Sequence, residues 1–133
     1  MNQTQETRRQ SLTIWRDSVH AGDDVDAPHE IRLPISDDES LENVIRRIVS
    51  SNYLASISGG KATWIVESGS RALGVVAQQW PTARFLVAAD NNVRSFLSSN
   101  TGCHLNFIYW CQVDPDHVFE CLQDGKPLPN KYG

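Results

Sequence analysis

The chain has no apolar run long enough to cross a bilayer. Runs such as "VVA" and "FLVAA" fall far short of the roughly 20 residues a spanning helix needs. No apolar stretch follows the arginines of "MNQTQETRRQSL", so the N-terminus does not read as a secretory signal. No Cys-x-x-Cys pair exists. The three cysteines, Cys103, Cys111 and Cys121, are odd in number, which favours reduced thiols and a cytoplasmic setting. There is no internal repeat, low-complexity tract or linker. Basic residues adjoin only at Arg8-Arg9 and Arg46-Arg47. The alternation of basic and aromatic residues that would mark a nucleic-acid surface is therefore missing.

What is present fits one folded domain of 133 residues, with a hydrophobic fraction of 40% and a charged fraction of 21%. At this size a fold buries about 65–70% of its unfolded surface and needs no covalent staple. The net charge of −4 conceals an asymmetry. Asp17 to Glu42 holds nine acidic residues against Arg32 alone, while the rest of the chain is positive overall. An acidic face repels phosphate backbones and attracts basic partners. A solvated surface that aids solubility is the plainer alternative.

Periodicity places the elements. Residues 1–9 are polar and aperiodic and read as a disordered tail; 10–133 read as a single domain. "SLTIWRDSVH" alternates, with Leu12, Ile14 and Arg16 on one face and Thr13, Trp15, Asp17 and Val19 on the other, the signature of a strand. "HEIRLPI" is a second strand, and Pro34 confines it to an edge. "SDDESLENVIRRIVSSNYL" carries an apolar helical stripe at Leu41, Val44, Ile45, Ile48 and Val49. Its N-cap is either Ser36, in a box with Glu39, or Ser40. "ATWIVES" and "ALGVVAQQW" are strands joined by a turn at "GSR". "ARFLVAA", apolar on both faces, reads as a central strand. Asp90 would cap a short helix carrying Val93, Phe96 and Leu97. "CHLNFIYWCQV" is a strand with Cys103, Leu105, Phe107, Tyr109, Cys111 and Val113 on one face. Asp114 and Pro115 then open a last helix that Gly125 stops. The expected class is α+β: a mixed sheet of five to six strands, one long amphipathic helix and two shorter ones.

The first half, residues 11–78, resembles the ubiquitin-like β-grasp. "LTIWRDSV" and "EIRLPIS" would be its hairpin, and "SLENVIRRI" is similar to the start of the ubiquitin helix through the run Leu41-Glu42-Asn43-Val44. The resemblance implies a sheet grasping one helix and a habit of binding proteins through the sheet. The chain ends "NKYG", without the paired glycines of a conjugated modifier, so the resemblance implies no conjugation chemistry.

The densest candidate site is "HAGDDVDAPHE", residues 20–30. Asp23, Asp24, Asp26 and Glu30 offer carboxylates, and His20 and His29 offer imidazoles. Two carboxylates 5 Å apart repel by about 0.8 kcal/mol in water. Such a cluster stays solvated, recruits a cation or meets a basic partner. It lacks the register of an EF-hand and of a zinc-enzyme motif. A magnesium-type hydrolase built on Asp23, Asp24, Asp26 and His29 is one alternative. "SGGKATW" lacks the glycine spacing and the strand-to-helix order of a phosphate loop, and reads as a helix-to-strand turn. His117 and Cys121 share a helical face, with Cys111 at the end of the preceding strand. Cys103 lies eight residues before Cys111, about 26 Å along a strand, so those two do not converge on one metal. Trp64 and Trp80 read as core. Trp15 and Trp110 read as the exposed aromatics able to anchor a partner.

The reading is therefore a non-catalytic module presenting Asp23, Asp24, Asp26, His29 and Glu30, with Trp15 and Trp110, to a basic protein, of the inhibitor or immunity type. No cofactor is expected, nor nucleic acid, nor a membrane; a homo-oligomer is left open. The alternatives are the metal-dependent hydrolase and a structural subunit pairing through a sheet edge.

Overall fold

A computed structural model of the chain describes residues 10–17, 30–51, 53–54, 60–97 and 104–130. In chain order the elements are β1 (Gln10–Arg16), β2 (Glu30–Ile35), α1 (Leu41–Ser50), β3 (Thr63–Ser68), β4 (Arg71–Ala77), β5 (Arg84–Phe85), a 3₁₀ turn (Val93–Phe96), β6 (His104–Tyr109) and α2 (Pro115–Asp124). The six strands form one mixed sheet in the order β2-β1-β6-β3-β4-β5. Strand β6 runs parallel to β1 and antiparallel to β3. The other neighbouring pairs are antiparallel. The class is α+β.

Alternation along the strands sends side chains to two separate cores. Leu12 and Ile14 of β1, Trp64 and Val66 of β3, and Leu105, Phe107 and Tyr109 of β6 pack with Leu41, Val44, Ile45 and Ile48 of α1. On the opposite face Ile65 and Val75 pack with Val118 of α2, joined by Ile108, Phe119 and Leu122. The sheet is thus a middle layer between the two helices. Each fully buried α1 side chain contributes about 1.5–3 kcal/mol of transfer free energy.

The N-terminus of α1 is satisfied from three directions. Ser40, not Ser36, is the cap: its Oγ accepts from the Asn43 N–H at 3.1 Å. Carbonyls of the segment after β5 take two further donors, Asn91 from Leu41 at 3.0 Å and Ala89 from Glu42 at 2.9 Å. Glu39 returns the Ser36 relationship in reverse, accepting from the Ser36 N–H at 3.3 Å. Helix α2 is delimited as its sequence implies. Asp114 caps it, Pro115 opens it, and Gly125 closes it in the left-handed region at φ 70°.

Four expectations are corrected. "ARFLVAA" is no central strand: β5 is two residues long and lies at the sheet edge. After Leu86 donates to the Leu73 carbonyl, the chain leaves the ladder and spends the Ala89 and Asn91 carbonyls on α1 instead. Asp90 caps no helix; Asn92 caps a four-residue 3₁₀ turn. The last strand stops at Tyr109, because Cys111 turns the backbone left-handed at φ 59°; Val113 consequently packs with the α2 core, and Cys103 lies outside the described residues. There are two α-helices of ten residues each among the described residues, not one long and two short. Val49, at the end of the α1 stripe, is 43% exposed.

Candidate functional site

Cross-strand register builds one row of side chains on the α2 face of the sheet. Trp15 pairs with Glu30 on β2 and with Asn106 on β6, and Asn106 pairs with Glu67 on β3. Residues directly opposed across strands share a face. The row therefore reads Glu30, Trp15, Asn106, Glu67, at about 4.8 Å per strand. The neighbouring row is Arg32, Thr13, His104. Helix α2 covers this face over β3, β4 and the end of β6. Glu30 remains exposed, and Trp15 is 36% exposed, one of two exposed large apolar side chains among the described residues.

Charge gathers around that row. Asp17 continues β1 beside β6: its N–H donates to the Phe107 carbonyl at 3.0 Å, and its Oδ2 accepts from the Tyr109 N–H at 2.9 Å. Burial and the Asp17 charge push the Glu67 carboxyl above its ordinary range. On the opposite face Arg16 is fully buried at the end of β1, its guanidinium 5.6 Å from the Tyr53 ring centroid. Burial raises the Tyr53 hydroxyl to about 12, against the pull of Arg16.

The sequence candidates divide. Asp23, Asp24, Asp26 and His29, with His20, lie outside the described residues, in the segment that joins Asp17 to Glu30. Glu30 and Trp15 stand side by side. Trp110 is elsewhere: half-buried, it packs with the α2 core and donates from Nε1 to the Pro129 carbonyl at 2.9 Å. It holds the C-terminal segment to the sheet. Its position after the last strand, facing the α2 side, was legible; the segment that covers it was not.

Among the described residues, Cys111 and Cys121 belong to no metal centre. Cys121 Sγ lies 4.0 Å from His117 Nε2. Cys111 packs against the α1 core. Among the described residues no three His, Cys, Asp or Glu side chains could hold a metal ion. No helix of those residues is long and apolar enough to cross a membrane. Gly60 turns left-handed at φ 76° ahead of β3, and no helix follows it, as a phosphate loop would require.

One feature escaped sequence reasoning. A groove of about 100 Å³ lies between α1 and the β4–β5 connection, lined by Ile45, Val49, Val76, Trp80, Pro81 and Phe85 among others. It is smaller than the 300–1,000 Å³ typical of small-molecule sites. The Arg84 guanidinium lies 4.6 Å from the Trp80 ring centroid and bridges to Asp116 at 3.0 Å. Val49 at the end of the α1 stripe and the Trp80-Pro81 dipeptide were the available signals; nothing in their spacing says that they meet.

Compared with known proteins, the chain matches no family model, no curated protein and no solved structure.

Proposed function

We propose that the protein is a non-catalytic binding module with a β-grasp arrangement, presenting the acidic end of its sheet to a basic protein partner. A hairpin (β1–β2) leading into a helix packed across one face of the sheet (α1) supports this reading. In this reading β5 and α2 are additions to it.

One observation carries the proposal. Trp15, exposed, pairs directly with Glu30, the residue at which the segment bearing Asp23, Asp24 and Asp26 rejoins the sheet. The carboxylates would steer a positively charged partner, and the aromatic ring would anchor it. An inhibitor or immunity-type protein covering a basic cleft is the concrete form. Self-association through a sheet edge is less well supported. Edge strand β2 contains Pro34, which has no donor, and the Pro34 carbonyl already accepts from Arg47 at 3.0 Å; both features blunt an edge.

The test uses a tagged full-length chain, the basic protein that co-purifies with it, and the triple variant Asp23→Asn, Asp24→Asn, Asp26→Asn. Association should slow in the variant and lose most of its dependence on ionic strength. Identical rates at every salt concentration would reject the proposal. Calorimetry with magnesium, manganese, calcium and zinc, on the same sample, addresses the hydrolase alternative.

A further inference from the structure

We infer that the surface around Trp110 is a docking site for an extended, proline-containing peptide, and that residues 126–130 of the chain itself occupy it in cis. The inference does not depend on the acidic-surface reading.

The segment reads Lys-Pro-Leu-Pro-Asn and begins where α2 stops. Gly125 turns left-handed at φ 70°, and the Lys126 N–H donates to the Cys121 carbonyl at 2.9 Å, closing the helix end. Proline chemistry sets the backbone beyond that point. Pro127 and Pro129 fix their own φ at about −65°. Each also drives the residue before it, Lys126 and Leu128, toward extended or polyproline geometry. Of residues 127–129 only Leu128 has a backbone N–H, so this stretch is poorly suited to extending a β-ladder. It lies outside any helix or strand.

The surface beneath matches such a chain. Leu128 enters the apolar cluster of Ile65, Val75 and Val118, which Trp110 and Phe119 also join. The Trp110 indole donates to the Pro129 carbonyl at 2.9 Å. An indole has a donor and no acceptor, so it pairs well with a segment that keeps its carbonyls and lacks most of its N–H groups. A chain already extended by its prolines loses little conformational entropy when it docks on aromatic residues. The same economy is open to a second chain of the same kind.

The cover is partial. Lys126, Pro127 and Asn130 are exposed, while Leu128, Pro129 and Trp110 are half-buried. A ligand on a short tether has an effective concentration on the order of millimolar. An external peptide therefore competes once it is abundant, or once the tethered copy is weakened.

The probe is a capped synthetic pentapeptide of sequence KPLPN, titrated into the isotopically labelled full chain. The Trp110 indole N–H resonance and the backbone amides of Leu128 and Asn130 are followed together. In the wild type all three should move only at millimolar peptide, as the tethered copy is displaced. Leu128→Asp, which expels the tethered copy, should tighten peptide binding about tenfold. Adding Trp110→Phe to that variant should cancel most of the gain, and the peptide KALAN should bind more weakly than KPLPN. Sheet amides of residues 104–109 report that each variant is folded; Leu128→Ser is the milder substitution where Leu128→Asp disturbs them. Equal affinity of the wild type and the Leu128 variant overturns the cis occupancy. No binding to either overturns the docking site, and equal binding of KALAN and KPLPN overturns the preference for proline.

Discussion

Arg47 closes on Glu39: its Nη1 donates to both carboxylate oxygens, at 2.9 and 2.7 Å. Asn43 adds a third bond at 2.6 Å and the Ser36 N–H a fourth. Glu39 is almost fully buried, whereas Arg47 keeps partial access to water. The pair joins the end of β2 to the body of α1 through the Pro34 carbonyl, which the same guanidinium also holds.

Glu39→Gln is therefore expected to destabilise the protein by about 1.5–3 kcal/mol, the scale of hydrogen bonds to charged groups. It should also reshape the acid limb of the stability curve. Burial alone would raise the Glu39 carboxyl, but the bonds from Arg47, Asn43 and Ser36 hold it below its ordinary value of 4.5. A folded-state value below the unfolded one contributes stability that is complete above the unfolded value and lost as pH falls through the folded one. The wild type should lose this contribution from about pH 4.5 downward, and the variant should lack that part of the slope. Urea unfolding at stepped pH checks both statements.

Gly74→Ala should be poorly tolerated. A Cβ at this position would lie 2.6 Å from the Arg84 carbonyl oxygen and 3.2 Å from the Phe85 ring. The first is backbone and cannot rotate away. Since Gly74 pairs with Phe85, the two-residue β5 must move or the ladder must open, at a cost of about 1–3 kcal/mol, typical of overpacking. Hydrogen exchange should show Leu86, whose N–H bonds to the Leu73 carbonyl, losing protection first. A fully protected Leu86 in the variant would contradict this account.

Trp110→Phe should release the C-terminal segment without unfolding the sheet. It removes the only donor that reaches the Pro129 carbonyl from the indole while keeping most of the apolar packing. A loss of about 0.5–1.5 kcal/mol is expected for one neutral hydrogen bond. Limited proteolysis should cut faster at Lys126. Binding to a basic partner should not change, because Trp110 stands under its own chain.

Local rules carried much of the fold. Helix α2 was legible to the residue at both ends, since Asp114-Pro115 and Gly125 act through their own backbone and need no neighbours. The hairpin, the apolar stripe of α1 and the edge position implied by Pro34 are likewise near-neighbour effects. Half of the candidate site was legible in the same way: alternation alone placed Trp15 opposite Leu12 and Ile14. Trp110 was misjudged because periodicity reports which face a residue occupies, not what lies over that face.

By itself the sequence determined the class, the order of most elements, the two α-helices and the uneven distribution of charge, since propensity, capping and burial period are properties of short stretches. Tertiary structure alone decided that β6 enters between β1 and β3, that "ARFLVAA" leaves the sheet to cap α1, and that Trp15 stands between Glu30 and Asn106. Each of these depends on pairing between residues far apart in the chain. The free energy of such pairing comes from surfaces that meet only once the sheet has formed.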